Sequence, residues 1–139
     1  NKIETPEEKI KVLKALAYFK NKELILNTLE FTLSKDVRQQ NMATVIHDIG
    51  YNPYGSKILW SWLKNNWEKL TKKTGKENTV LKKILGVISE ITDEYKINEV
   101  TEFFKNNSVP GTENTLKQEL ERVQIYSGFL KRTKKEFFS

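Results

Sequence analysis

The stretch Tyr51 to Leu70 holds all three tryptophans of the chain behind an Asn52-Pro53-Tyr54-Gly55 turn. At about 100° per residue, Leu59, Trp60, Leu63, Trp67 and Leu70 fall within an arc of about 100°. Trp62 and Ile58 widen the apolar surface to about half the circumference, leaving Ser61, Lys64, Asn65 and Glu68 as a narrow wet face. A surface helix needs a single apolar stripe. This one has to be sandwiched between neighbours, as the inner helix of a stacked array or layered bundle is.

Helical spacing continues on both sides. Thr5 followed by Pro6, Glu7 and Glu8 predicts a helix start, with a capping hydroxyl, proline in the first turn and carboxylates at the positive end of the dipole. Ile10, Leu13, Leu16 and Ala17 form its stripe. Asn21 predicts the cap of a second helix carrying Leu24, Ile25, Leu29 and Leu33 and ending near Ser34. A third follows with Met42, Val45, Ile46 and Ile49, and Gly50 is its expected left-handed cap. After the tryptophan helix, Thr71 to Asn78 reads as a loop around Gly75. A fifth helix carries Val80, Leu81, Ile84, Leu85 and Ile88. A sixth, capped by Thr92 or Asp93, carries Ile97, Val100, Phe103 and Phe104 and closes at Pro110-Gly111. From Thr112 a long last helix places Leu116, Leu120, Val123 and Leu130 on one face and runs through Phe129 toward Phe137.

Seven helices without strand alternation predict an all-α domain over residues 1–139, and successive antiparallel pairs suggest a solenoid of helix pairs like those of HEAT and armadillo repeats. Its 139 residues are one domain's worth. No apolar run approaches the roughly 18 residues of a membrane span, so no membrane partner is expected. The opening Asn1-Lys2-Ile3-Glu4-Thr5-Pro6, without an initiator methionine, reads as a piece of something longer. The lack of cysteine fits a reducing compartment, and we expect the cytoplasm. The net charge of +6 comes from 24 basic residues, of which Arg38, Arg122 and Arg132 are the arginines. Lysines scattered this way read as a solvated surface, with a polyanion-binding face as the functional alternative.

Catalytic patterns are missing. The single histidine, His47, lacks the second histidine one turn away that a helical zinc site needs, and no cysteine substitutes for it. There is no Gly-rich phosphate loop and no nucleophile elbow. Glu7-Glu8 and Asp93-Glu94 stand at expected helix starts, where dipole capping accounts for them. The aromatics among the lysines from Trp60 to Lys73 occupy the buried stripe, which favours core packing over base stacking and makes nucleic acid an improbable partner. Arg38, Gln39, Gln40 and Asn41 gather a cation and three amides at the start of the third helix, beside free backbone N–H groups. Such a place suits an anion such as a peptide carboxylate; ordinary capping, with a salt bridge from Arg38 to Asp36 or Glu30, is the more economical reading.

An ordered series of segments then carries a resemblance. Leu29-Glu30-Phe31-Thr32-Leu33-Ser34, Val37-Arg38-Gln39-Gln40, Val45-Ile46, Asn52-Pro53-Tyr54-Gly55, Trp60 with Leu63 to Leu70, Glu99 to Phe104 and Phe129-Leu130-Lys131-Arg132 together resemble the C-terminal helical domain of zinc aminopeptidases. The puromycin-sensitive and tricorn-interacting-factor class is the nearest in pattern. Two positions depart from it: Asn41 replaces the usual Asp, which puts an Arg38–carboxylate network in doubt, and Phe129 replaces a Trp, an exchange expected within a core.

The resemblance implies a parent enzyme that removes N-terminal residues from peptides with a zinc held in a separate domain. None of that apparatus is in this sequence, which implies neither metal nor cofactor of its own. It further implies a HEAT-like bowl that contacts the catalytic domain, encloses peptide substrate and is inactive alone. Arg38 and Gln40 would belong to the cavity-facing helix, and Tyr51 to the turn where some relatives place a basic residue toward the peptide's C-terminus. The competing reading is a free-standing helical-repeat module that binds a protein or a polyanion. A lid should carry an exposed apolar edge, with Ile10, Leu13 and Leu16 as its expected residues, whereas a free module should end in polar capping helices.

Overall fold

Asn52 closes the third helix and bolts three segments together. Its amide donates to the carbonyls of Ala17, at 2.9 Å, and Phe19, at 2.8 Å, while its side-chain oxygen accepts from the Tyr54 N–H. In the computed structural model, which describes residues 5–75 and 78–138, the chain is all-α. Its helices are α1 (Pro6–Leu16), α2 (Lys22–Thr32), α3 (Gln39–Tyr51), α4 (Ser56–Thr74), α5 (Asn78–Leu85), the single turn α6 (Ile88–Ile91), α7 (Ile97–Asn106) and α8 (Glu113–Phe138). Apart from that single turn these are the seven expected helices; the fifth breaks at Gly86-Val87 into α5 and α6.

Local chemistry starts the first two helices as anticipated. Thr5 and Glu8 form a reciprocal capping box, and the Asn21 side chain accepts from the Leu24 N–H at 3.0 Å. Three local expectations fail. Neither Thr92 nor Asp93 caps the helix of Val100 and Phe104: α7 starts after Lys96 without a side-chain cap, and the Asp93 carboxylate accepts from the Tyr95 and Lys96 N–H groups in the preceding turn. Gly50 is no left-handed cap: α3 runs on to Tyr51, and the positive-φ glycines among the described residues are Gly75 and Gly111. Gly50 is small because Val87 lies against it, so that a β-carbon there would stand 2.8 Å from the Val87 Cβ. The loop expected from Thr71 to Asn78 is helical at both of its ends, and Lys76 and Glu77 within it lie outside the described residues. α4 continues to Thr74, whose hydroxyl bonds back to the Thr71 carbonyl, and Gly75 ends it at φ 59°.

α3 is the hub of the packing, with α1, α2, α4, α5 and α6 against it. Met42, Val45, Ile46 and Ile49 are fully enclosed. α4 buries Leu59, Trp60, Trp62, Leu63, Trp67 and Leu70, which makes it the apolar inner helix its composition demanded. Trp60 and Trp67 meet Phe103 and Phe104 of α7 at centroid distances of 5.2–6.3 Å, mostly edge to face, and this cluster holds α7 onto α4. Two of the indole N–H groups donate to carboxylates at the rim, Trp60 to Glu99 and Trp62 to Glu30.

α8 lies over α5 and α6 through Leu116, Leu120 and Val123. Beyond Val123 the expectation of a continuing core fails. Phe129 is 54% exposed and Leu130 50%, because α8 outruns the body and is tied back by polar groups, Ser127 and Lys131, to Glu94.

Candidate functional site

The two faces of α3 separate cleanly. Its buried residues, Met42, Ala43, Val45, Ile46, Ile49 and Gly50, occupy about 160° of the helix circumference. Gln40, Asn41, Thr44, His47, Asp48 and Tyr51 share most of the remainder and are exposed or half-buried. Along this polar ridge Gln40, Thr44, His47 and Tyr51 lie nearly in line over about 16 Å of helix.

The ridge is internally ordered. Thr44 donates to the Gln40 carbonyl at 3.0 Å and accepts from the Lys83 ammonium of α5 at 2.9 Å. The Tyr51 ring leans on the His47 ring at a centroid distance of 4.9 Å, and His47 Nδ1 is 3.7 Å from the Asp48 carboxylate. Amide, hydroxyl, ammonium, imidazole and phenol thus form a row of donors and acceptors without a nucleophile beside a base. The row suits binding an extended polar chain rather than bond making.

Arg38 stands at the N-cap of α3 with extended backbone, and no side chain caps the helix there. Among the described residues it pairs with neither Asp36 nor Glu30; Glu30 accepts from the Trp62 indole instead. The structure therefore brings Gln40 and Tyr51 to one face and leaves Arg38 at its end, about 20 Å from Tyr51 along the axis. Sequence reasoning missed two buried polar atoms without partners beside this helix start, Gln39 Oε1 and Ser34 Oγ. Gln39 was visible in the amide run, but periodicity does not say which amide turns inward.

The main pKa shifts lie away from the ridge. Glu99 is held below the ordinary carboxylate range by its bond from Lys64 and then by the Trp60 indole; the same Lys64 ammonium lies 5.4 Å from the Trp60 ring centre. Glu94 is lowered by Lys131 and then Ser127, and Lys131 is correspondingly raised. Burial lowers Lys73, whose ammonium donates to the Thr32 and Ser34 carbonyls at 2.9 and 2.6 Å and so closes the C-terminal end of α2 from α4.

Two surface cavities lie elsewhere. One of about 800 Å³ runs between the Ser89–Tyr95 segment and α8, lined by Thr92, Arg122, Tyr126 and Phe129 among others. Of its exposed lining residues, Phe129 and Leu130 are the two that were expected in the core; Ile125 and Tyr126 carried no expectation. The other, of about 270 Å³, lies between α1 and α2. Neither includes Arg38, Gln40 or Tyr51. Among the described residues no His, Asp and Glu side chains converge to hold a metal ion, so this part of the molecule does not fit a zinc site. None of the helices is long and apolar enough to cross a membrane among the residues described.

The chain is 32% identical over 130 residues to aminopeptidase M1-B of Oryza sativa subsp. japonica, which covers 94% of this chain and 15% of that protein. It is 32% identical over 130 residues to aminopeptidase M1 of Arabidopsis thaliana, with the same coverage of both. With glutamyl aminopeptidase of Sus scrofa it shares 31% over 130 residues, 92% of this chain and 14% of that protein. The chain thus spans about 15% of the length of these relatives. The family described as ERAP1-like C-terminal domain matches residues 1–125, from before α1 to the middle of α8, and the chain belongs to that family.

Proposed function

We propose that the chain is the substrate-enclosing C-terminal part of a zinc aminopeptidase, a hydrolase that removes N-terminal residues from peptides. The observation that carries this reading is the family match across all the helices that build the α3 hub. In this reading the helix pairs stack as a HEAT-like wall and the polar ridge of α3 faces the peptide. Gln40 and Tyr51 offer hydrogen bonds to its backbone, and Arg38 offers a charge to a carboxylate near one end. The scissile bond is handled elsewhere, by a zinc domain in the longer protein that packs against this one. The chain alone does not hydrolyse peptides. Its cysteine-free composition supports a reducing compartment, the cytoplasm.

The test is hydrolysis of fluorogenic amino-acid amides by the 139-residue chain and by the same chain extended upstream in its own reading frame, with zinc measured in both. Activity with about one zinc per molecule only in the longer protein supports the proposal. A longer protein that binds no zinc and is inactive overturns it and leaves the competing reading, a helical module that binds a protein or polyanion through its basic surface.

A further inference from the structure

The expected apolar edge at Ile10, Leu13 and Leu16 is corrected by the structure: Leu13 is buried, and the exposed apolar rim between α1 and α2 is Val12, Leu24 and Phe31. A wider groove, on which polar groups converge, lies toward the other end of the chain. It is the cavity of about 800 Å³ between the Ser89–Tyr95 segment and α8. Helical spacing builds its α8 wall: Arg122, Tyr126 and Phe129 stand at i, i+4 and i+7, with Leu130 beside them, over about 12 Å of helix. Tyr95, 86% exposed, lines the opposite wall, so aromatic rings border the groove on both sides.

The groove is short of cations. Glu90, Asp93 and Glu94 line it against Arg122. Glu94 is already held by Ser127 and Lys131, and the Arg122 guanidinium stands 3.5 Å from the buried Glu119 carboxylate. Asp93 commits one carboxylate oxygen to the Tyr95 and Lys96 N–H groups, and among the described residues neither Asp93 nor Glu90 pairs with a cation. Two exposed carboxylates thus stand beside aromatic rings on a chain whose net charge is +6, a setting that draws a cation to carboxylate and ring face together. Thr92, which also lines the groove, is 8% exposed, and its hydroxyl has no partner. The Thr92 backbone is extended, at φ −118° and ψ 128°. A peptide laid along it brings an amide group to that hydroxyl, in the manner of a strand added at an edge. We propose that this groove binds a short extended peptide segment of another protein, with a basic side chain facing Glu90 and Asp93 and a large apolar side chain against Tyr95, Tyr126 and Phe129. About four extended residues span the α8 wall.

The inference goes beyond the aminopeptidase reading and stands apart from it, because a peptide with a blocked N-terminus offers an aminopeptidase nothing to cleave. The probe, added to the longer protein, is acetyl-Phe-Lys-Leu-Arg-amide carrying a neutral fluorophore, with acetyl-Phe-Glu-Leu-Glu-amide as its control, read by fluorescence anisotropy. The expected result is about tenfold tighter binding of the basic peptide, falling about tenfold in the double variant Glu90→Gln, Asp93→Asn and again in Tyr95→Ala, with urea midpoints unchanged. Equal affinity for the two peptides overturns the proposal, as does affinity untouched by these substitutions. Loss of binding on Gln40→Ala or Tyr51→Ala instead moves the peptide to the α3 ridge and overturns the groove. Displacement by phenethylamine at concentrations as low as the peptide's own marks a site for small organic amines and likewise overturns it. Groove binding in a longer protein without peptidase activity keeps this proposal and removes the enzymatic reading. Activity without groove binding does the reverse.

Discussion

Replacing Asn52 should reveal how strongly the α1–α3–α4 corner depends on one side chain. Asn52 is buried, and three hydrogen bonds of 2.8–3.0 Å converge on it. Asn52→Ala strands the Ala17 carbonyl, which costs about 1–3 kcal/mol for a buried acceptor. The half-buried Phe19 carbonyl and the Tyr54 N–H are partly re-satisfied by water and add about 1 kcal/mol together. The sum is about 2–4 kcal/mol, a fall of roughly 1–2 M in urea midpoint for a slope near 2 kcal/mol/M.

Asn52→Asp keeps the shape but removes both donors and sets a carboxylate against two carbonyl oxygens. At pH 7 it should destabilise more than alanine. Its folded pKa is then raised above the unfolded value, so the folded state binds the proton more tightly and the variant regains stability, relative to the parent at the same pH, as pH falls toward 4. Urea unfolding of the three proteins at both pH values measures this. An Asn52→Ala loss below about 0.5 kcal/mol, or an aspartate variant as stable as the parent at pH 7, would refute the corner argument.

Three other perturbations follow from the packing. Gly50→Ala drives a methyl to within 2.8 Å of Val87 and should cost about 1–3 kcal/mol despite alanine's better helix propensity; thermal unfolding of the Gly50→Ala, Val87→Ala double variant should recover part of that loss, and additive losses would show that the contact is not the cause. Lys73→Met removes the ammonium that closes the end of α2 and should lower stability by about 1–2 kcal/mol, read by urea unfolding. The Glu94 pKa is lowered by Lys131 and Ser127, so its tether is complete above the ordinary carboxylate value of 4.5 and is lost as pH falls through the lowered value. Glu94→Gln at pH 7 should imitate that loss, lowering amide-exchange protection in Tyr126–Thr133 while leaving Leu116–Leu120 unchanged.

What the sequence disclosed was whatever depends on period and on short-range chemistry. The Thr5 and Asn21 caps, the stripe of α3 and the tryptophan helix were legible because each is decided within four residues. Gly50 was misread because its reason, Val87, lies 37 positions away, and local rules offer a cap as the only use for a glycine there. Phe129 and Leu130 continued an apolar spacing that had been core up to Val123. Periodicity gives the direction of a face but not where the opposing body ends. The same limit applies to the ridge. Arg38, Gln39 and Gln40 stood out as a polar cluster, but that Gln39 buries its oxygen while Gln40 faces outward was settled by tertiary packing.

If the polar ridge of α3 recognises peptide, as proposed, the division of the helix into a buried arc and a polar ridge separates stability from recognition, and that separation can be measured. Gln40 and Tyr51 are exposed, and the Tyr51 ring leans on the His47 ring. Truncating either to alanine should change folding stability by no more than about 0.5 kcal/mol. If the ridge faces peptide, each truncation removes one hydrogen bond made along the substrate, worth about 0.5–1.5 kcal/mol, or roughly a two- to tenfold fall in kcat/KM. That fall should appear in the longer protein on substrates of several residues and be absent on single amino-acid amides, which do not extend far enough to touch α3. An equal fall on both substrate classes would mean that the substitutions act through the catalytic domain's structure. No fall on either would mean that the ridge faces water.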